Sequence, residues 1–250
     1  MRIVTWNLWW RFGPWAERQK AILAVLRELR PDVVGLQEVW ATDGENLAEW
    51  IAGELGLHWA WAASPASERW QRRIGEPGTE IGNAVLSRWP VVETEVLRLP
   101  VPPELDDGRL ALYARLAAPA HPVPFFTVHL TSQLHLSAVR VQQVAALAEF
   151  VAAHRAGTGF PPVVTSDFNA WPDSDEIRRF CGTRTAPLVP GQVFFDAWEY
   201  ADPAGPDGIG TVLAVRRAGA GPVDGVWPSD HAAVVADLAA GGAAGSPSGG

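Results

Sequence analysis

The chain has 250 residues, of which 48% are hydrophobic and 19% charged, and its formal net charge is −8. This composition excludes an intrinsically disordered protein, and by inspection no apolar run approaches the length of a membrane span. Cys181 is the single cysteine, which excludes an intramolecular disulfide and a zinc site built from several thiolates. The acidic balance argues against long nucleic acid as the default partner, because the overall field repels a polyanion.

The N-terminal residues lead directly into an alternating apolar segment, without the charged, apolar and small-residue pattern of a signal peptide. Together with the single cysteine, this predicts a cytoplasmic protein, which we expect to be a monomer.

Hydrophobic periodicity predicts strands over residues 2–8, 32–36, 109–117, 123–130, 162–166, 211–215 and 231–238. A 3.6-residue period predicts helices over residues 16–30, 46–55, 137–154 and 175–180, with Ser137 and Ser174 as N-caps of the last two. This order favours mixed sheets covered by helices in one domain over residues 1–238. Residues 76–78 and 203–210 are predicted to be surface loops. Residues 239–250 contain only Ala, Gly, Ser and Pro and are predicted to be a disordered tail.

Polar side chains at the ends of apolar strands are the feature that points to function. They are Asn7, Gln37 and Glu38, His129, Asp167 and Asn169, and the run Ser229-Asp230-His231. Each has an ordinary structural explanation by itself, such as a turn, a surface carboxylate or a core histidine. Together they provide three acids, two histidines and the carboxamides of two asparagines, which are the groups that a metal-assisted phosphoester hydrolase needs.

Six short segments occur in an order that resembles the endonuclease/exonuclease/phosphatase superfamily, over nearly all of residues 1–238. They are Thr5-Trp6-Asn7-Leu8, Gly35-Leu36-Gln37-Glu38, Gly82-Asn83-Ala84-Val85-Leu86-Ser87, Thr127-Val128-His129-Leu130, Thr165-Ser166-Asp167-Phe168-Asn169-Ala170 and Ser229-Asp230-His231. The resemblance implies a DNase I-like α/β fold, a four-layer sandwich of two mixed β-sheets flanked by helices. It also implies that the site lies at one end of the sheets.

The resemblance further implies a site for Mg²⁺, with Mn²⁺ as an alternative. Glu38 would be the principal metal ligand, and Asn7 and Asp230 would lie beside it, bound directly or through water. A hard divalent cation takes oxygen ligands of this kind.

The same resemblance implies the catalytic roles. Asp167 would orient and deprotonate the attacking water, and Asn169 would hold that water or a phosphoryl oxygen. His129 and His231 would donate hydrogen bonds to the phosphate as negative charge develops. The substrate would be a phosphoester from the set that this scaffold hydrolyses: a nucleic acid, a nucleotide, an inositol phosphate or a phospholipid headgroup.

Tryptophan is unusually abundant, with 13 in the chain and ten before residue 90. Trp9, Trp10 and Trp15 follow Asn7, so their loop is expected to overhang the cleft. They would form one of two structures. The first is a stacking surface for a base, a ring or a lipid chain, and the second, which we favour, is a hydrophobic cap on the sheet edge.

Two sets of polar residues have no assigned role. Arg69, Arg72 and Arg73 are expected in a loop, and Arg140 with Gln143 on the helix face opposite the apolar stripe. Either set could meet a phosphate, but we favour solvated surfaces for both.

One motif of the family is missing. Members carry an arginine–aliphatic–aspartate–aromatic tetrad before the final Ser-Asp-His, and its aspartate hydrogen-bonds the last histidine; no such tetrad stands between Asp196 and Ser229. His231 is therefore expected to be held by a backbone carbonyl or water, unless Asp207 or Asp224 takes the vacant place.

Two interpretations follow from this gap. The favoured one is an active Mg²⁺-dependent phosphodiesterase or phosphatase. The other is a catalytically weak family member that binds a ligand or partner through the Trp-rich cleft. A metal-free carbohydrate-binding protein is the least supported alternative.

Overall fold

Two mixed β-sheets pack face to face in the computed structural model, which describes residues 1–202 and 208–241. In chain order, the elements are β1 (Arg2–Asn7), α1 (Trp15–Leu29), β2 (Val33–Thr42), β3 (Glu45–Asn46), α2 (Leu47–Leu55), β4 (His58–Ala63), α3 (Ser67–Ile74), β5 (Glu80–Ser87), β6 (Val91–Arg98), β7 (Leu110–Leu116), β8 (Val123–His129), α4 (Ser137–His154), β9 (Val163–Asp167), α5 (Asp175–Cys181), β10 (Val212–Ala218) and β11 (Ala233–Leu238). The first sheet has the order β10-β11-β1-β2-β5-β4, with β3 paired to β2, and the second has the order β6-β7-β8-β9.

Three apolar layers hold the sandwich together. The outer face of the first sheet packs against α1 and α2, and the inner faces of the two sheets share a second cluster that includes Val33 and Phe125. The outer face of the second sheet packs against α4 and α5. The predicted four-layer fold of two mixed sheets flanked by helices is confirmed.

The parallel strand pairs determine where the site lies. β1 runs parallel to β2, with Asn7 beside Gln37, and β8 runs parallel to β9, with His129 beside Asp167. Parallel strands run toward the same edge of a sheet, so β1, β8 and β9 present their carboxyl ends together, beside Gln37 and Glu38 in the middle of β2.

Gly35 allows the two sheets to approach closely near this edge. A Cβ at this position would lie 2.0 Å from Oγ1 of Thr165, a distance that only glycine avoids. Two residues later, the buried Gln37 donates from Nε2 to Oγ1 of Thr127 over 3.0 Å. Gln37 therefore connects the two sheets through this hydrogen bond, and its side chain has a structural role.

Strand β2 continues beyond its predicted end at Leu36. Its pairing with β5 shifts register between Leu36 and Val39, and Glu38 has a left-handed φ of 54°. This β-bulge turns the Glu38 side chain toward the end of the sandwich while the strand goes on to Thr42. Strands β3, β4, β5 and β6 had no counterpart among the predicted strands.

The predicted helices form, with changes at their ends. Asn46 is the N-cap of α2 and accepts hydrogen bonds from the backbone N–H groups of Ala48 and Glu49. Ser137 was expected as an N-cap but is the first residue of α4, and its hydroxyl donates to Glu176. Ser174 occupies the N-cap position of α5 without a side-chain capping bond.

One of the two expectations about solvated arginines is wrong. The cluster of Arg69, Arg72 and Arg73 lies on helix α3 rather than in a loop, but Arg72 and Arg73 are exposed and Arg69 is partly exposed, as expected. Arg140 and Gln143 are buried, because α5 covers the face of α4 that the apolar stripe leaves free.

By length and composition alone, the segment Leu134–His154 is long and apolar enough to cross a membrane. Within α4, however, Val144, Leu147 and Val151 are buried against the second sheet, as expected for a core helix.

At the C-terminal end, Ala239 forms backbone hydrogen bonds with Gly210 and Thr211. Most of the predicted 203–210 loop and residues 242–250 of the predicted tail lie outside the described residues.

Candidate active site

Asp167 lies at the centre of the polar cluster at the end of the sandwich. Its Oδ2 accepts a hydrogen bond from Nδ2 of Asn7 at 2.9 Å, and its Oδ1 accepts one from the backbone N–H of Asn169 at 3.0 Å. Nε2 of His129 lies 3.5 Å from Oδ2, and Nε2 of His231 lies 3.8 Å from it. The folded chain therefore brings together five of the seven predicted site residues around one carboxylate.

Burial alone would raise the pKa of Asp167. The attraction to His129 and the hydrogen bonds from Asn7 and Asn169 outweigh it, so the pKa lies below the ordinary value of 3.8. The carboxylate is therefore ionised at neutral pH.

His129 has the opposite environment. Burial, with the positive charge of Arg109 and a smaller contribution from His231, lowers its pKa well below the ordinary value of 6.5, although Asp167 opposes this shift. Its imidazole is neutral at pH 7, so only one of its ring nitrogens can donate a hydrogen bond.

Asn169 adopts a left-handed conformation with φ of 50°, which asparagine tolerates better than most residues. Its Nδ2 donates to the carbonyl of Leu130 over 3.0 Å, which fixes the carboxamide plane. The amide oxygen is left to accept a hydrogen bond from a water molecule.

His231 lies in the loop before β11, and the loop is anchored at several points. Ser229 Oγ donates to the carbonyl of Asn7 and accepts from the backbone N–H of His231, while the Trp6 indole donates to the His231 carbonyl. These bonds hold the backbone at the end of β1, with 45% of the His231 side chain exposed.

The ring of His231 has a different partner from the one that the family motif supplies. Among the described residues, the carboxylates within 4.0 Å of the ring are Asp167 and Asp230, both at Nε2. Asp224 lies in a turn with a φ of 49° and forms no contact of this kind. Asp207 lies outside the described residues.

Glu38 carries a charge that the protein leaves largely uncompensated. Burial raises its pKa, Asp230 and Asp167 raise it further, and Arg109 and a hydrogen bond from Asn7 oppose the shift. Within the described residues, no basic side chain comes within salt-bridge distance of this carboxylate. A cation in this place would relieve the repulsion among the three acids.

The donor set fits a hard cation that keeps most of its water. Within residues 1–202 and 208–241, no group of three His, Cys, Asp or Glu side chains is arranged to hold a metal. Mg²⁺ commonly binds proteins through one or two carboxylates and retains several waters. Glu38, with Asp230 nearby, meets this requirement, while Asn7 donates from Nδ2 to Asp167 and accepts a hydrogen bond at Oδ1 from the backbone N–H of Trp9 over 2.9 Å.

Arg109 joins the cluster as a residue that sequence reasoning missed. Its Nε donates to Oδ2 of Asp107 over 2.7 Å in a buried ion pair, and its Nη2 is buried without a hydrogen-bond partner among the described residues. The guanidinium borders a cavity of about 20 Å³ that Glu38, Asn83 and His129 also line. This space admits one water-sized group, so the guanidinium lies beside a place that a single oxygen atom can fill.

A second missed arginine shapes the loops around the site. The buried guanidinium of Arg18 donates to five backbone carbonyls, those of Leu8, Trp9, Trp10, Phe12 and Pro228. Burial lowers its pKa to about 10, partly offset by Asp230 and Glu38, so it remains charged at neutral pH. Arg18 thereby ties the loop after β1 to the segment before Ser229.

Trp10 and Trp15 serve packing, which agrees with the interpretation favoured from the sequence, whereas Trp9 lines a cavity that Asp230 and His231 also line. Trp10 is 1% exposed and Trp15 packs edge-on against Trp40. The exposed indoles beside the site are instead Trp171, which follows Asn169, and Trp227, which precedes Ser229. Their positions next to two site motifs were the available signal in the sequence.

The chain matches the model of the Endonuclease/Exonuclease/phosphatase family over residues 4–247, while no curated protein matches it. Among solved structures, it is similar to the human Nocturnin catalytic domain with bound sulfate (18% identity, 94% of this chain and 93% of that chain, TM-score 0.67). It is also similar to an endonuclease/exonuclease/phosphatase from Beutenbergia cavernae (24% identity, 97% of this chain and 72% of that chain, TM-score 0.68). A third similar structure is D. rerio TDP2 complexed with a single-stranded DNA product (16% identity, 94% of this chain and 97% of that chain, TM-score 0.68). The fold, the order of the motifs and the family match agree, and the chain belongs to the Endonuclease/Exonuclease/phosphatase family.

Proposed function

We propose that the protein hydrolyses phosphodiesters with the help of a divalent cation, with Mg²⁺ as the metal and Mn²⁺ as the alternative. The observation that carries the proposal is the position of Asp167 among Asn7, His129 and His231, with Nε2 of both histidines within 3.8 Å of its Oδ2. An ionised carboxylate beside an open cavity can accept a proton from water.

In this proposal, Asp167 takes one proton from the attacking water as its oxygen bonds to phosphorus. The Asn169 amide oxygen holds the same water in place. The bond from phosphorus to the leaving oxygen breaks, and His231, the more exposed imidazole, supplies a proton to that oxygen. His129 and Nη2 of Arg109 donate hydrogen bonds to the non-bridging oxygens as their charge increases.

Glu38 would hold the metal, with Asn7 and Asp230 beside it directly or through water. The bound cation would supply Lewis-acid polarisation of a phosphoryl oxygen. The charge repulsion at Glu38 supports this assignment, because Asp167 and Asp230 both raise the pKa of Glu38 and Arg109 offsets the shift only in part.

The similar structures support an anionic phosphoester substrate. Nocturnin is described with a bound sulfate, a tetrahedral oxyanion like phosphate, and D. rerio TDP2 with a single-stranded DNA product. A nucleic-acid phosphodiester is therefore the first substrate to test, ahead of a nucleotide, an inositol phosphate or a phospholipid headgroup.

A second candidate function is ligand binding with weak catalysis. Its specific support is the ring of His231, to which no carboxylate in the described residues is hydrogen-bonded. An imidazole without such a partner is oriented less firmly.

The test is turnover of a generic diester, bis(4-nitrophenyl) phosphate, and of the monoester 4-nitrophenyl phosphate in Mg²⁺, Mn²⁺ and EDTA. We expect diester hydrolysis that requires metal and that Asp167→Asn abolishes, with the exposed Asp43→Asn as the matched control. Turnover in EDTA, or equal rates for Asp167→Asn and wild type, would contradict the proposal. Mg²⁺ binding without turnover would favour the second candidate.

A further inference from the structure

Two exposed indoles adjoin the candidate active site through separate cavities. Trp171 is 73% exposed and lines a cavity of about 590 Å³ with Asp167, Asn169 and His231. Trp227 is 56% exposed and lines a cavity of about 620 Å³ with Asp230 and the same His231. The two cavities meet at His231, so a phosphate held there adjoins one exposed indole in each cavity.

Both indoles are available for binding, because they are exposed where comparable side chains are packed. Trp6 and Trp10, on and just after β1, are each 1% exposed. Single exposed apolar side chains are ordinary on protein surfaces. Two large aromatic rings that border cavities sharing one histidine are a more specific arrangement.

The charges around these cavities limit what can bind. Among the described residues that line them, Arg18 is the only arginine or lysine, and its guanidinium donates to backbone carbonyls. The whole chain carries a net charge of −8. Phosphates that flank the scissile one would therefore find little cationic support, and neighbouring groups must be bound through their neutral surfaces.

We propose that Trp171 and Trp227 stack the bases on the two sides of the scissile phosphate in a short single-stranded oligonucleotide. Every base has a planar face that stacks on an indole, so binding of this kind tolerates any sequence. In a duplex, these faces are already stacked within the helix, so the site selects single strands. The inference deepens the proposed function and rests on it.

The experiment compares single-stranded hexathymidylate with a hexamer of abasic tetrahydrofuran residues, which has the phosphates without the bases. We expect kcat/KM of the wild-type protein in Mg²⁺ to be higher for hexathymidylate than for the abasic hexamer by about tenfold or more. Base stacking on aromatic side chains contributes a difference of this size. Trp171→Ala and Trp227→Ala should each reduce this ratio, and the double variant should bring it close to one. Trp171→Tyr should restore most of the loss, because a phenol ring still stacks.

Trp198→Ala is the matched control, because Trp198 is 55% exposed and lines neither cavity. It should keep the wild-type ratio. A wild-type ratio near one, or a ratio that survives the double substitution, would overturn the inference. Preference for an alkyl or phospholipid diester over hexathymidylate would overturn it as well.

A binding measurement separates this inference from the proposed function. Fluorescence anisotropy of labelled hexathymidylate and the labelled abasic hexamer should show the same preference with Asp167→Asn, which binds without turnover. Base-dependent binding without hydrolysis by the wild type would contradict the proposed hydrolase function and still support base stacking on Trp171 and Trp227. Hydrolysis of bis(4-nitrophenyl) phosphate without base-dependent binding would support the hydrolase function and contradict the stacking inference.

Discussion

Nδ2 of Asn7 donates to Oδ2 of Asp167 over 2.9 Å, and this bond joins the end of β1 in one sheet to the end of β9 in the other. The carboxylate is thereby fixed by both halves of the sandwich. Its position depends on how closely the sheets pack, which Gly35 permits.

Asp167→Asn should lower kcat by at least ~10² and leave ground-state substrate affinity almost unchanged, because an amide cannot accept the proton from water. Steady-state kinetics on a phosphodiester measure the change in kcat. Comparison of KM with a directly measured dissociation constant checks the substrate affinity. Most of the wild-type kcat remaining in the variant would show that another group acts as the base.

Glu38→Gln should abolish Mg²⁺ binding in calorimetry and remove activity. The metal-free variant should be at least as stable as wild type, since the change removes a buried charge that Asp167 and Asp230 repel. Glu45→Gln, at an exposed position on β3, is the control for both measurements. Unchanged Mg²⁺ binding in Glu38→Gln would assign the metal to other residues.

Arg109→Lys should lower kcat by about 10², because the ammonium group cannot pair with Asp107 and present a second donor to the cavity at the same time. Arg98→Lys is the control, since Arg98 forms a surface ion pair with Asp106 and its side chain is 60% exposed. Equal kinetics for the two variants would restrict Arg109 to a structural role.

Glu176→Gln should destabilise the protein by about 3–5 kcal/mol, because it leaves Arg140 buried without its charged partner at 2.6 Å. Chemical denaturation measures this, and Glu149→Gln on the exposed side of α4 should change the free energy of unfolding little.

The same ion pair predicts a pH dependence of stability. Burial raises the pKa of Glu176, but hydrogen bonds from Ser137 and Arg140 outweigh it and bring the pKa below the ordinary 4.5. A group whose pKa is lower in the folded state stabilises that state above its unfolded pKa. The contribution is lost as the pH falls through the folded pKa. The stability difference between wild type and Glu176→Gln should therefore shrink between neutral pH and about pH 3.

Binding to double-stranded DNA should be weak, with a shallower salt dependence than that of a protein with a basic DNA-binding face. The logarithm of the association constant against the logarithm of salt concentration should have a slope no steeper than about −3, since few phosphate contacts are available. A steeper slope would reveal a basic face.

The sequence by itself determined the fold class and most of the site. Polar residues at the ends of apolar strands are visible as a local pattern, and Asn7, His129, Asp167, Asn169 and His231 meet around one carboxylate as that pattern predicts. Strand ends collect at one edge because the strand pairs are parallel, so a local signal was sufficient for them.

The tertiary structure alone decided the roles of side chains whose partners lie far along the chain. Arg140 has the appearance of a solvated residue until α5 covers it and brings Glu176 to its guanidinium. Arg18 bonds to Pro228, 210 positions away, and the bulge that directs Glu38 exists only in the pairing of β2 with β5. Arg109 is a strand-flanking arginine like many others until burial leaves its Nη2 without a partner. Burial of a charge depends on long-range packing, which local periodicity does not encode.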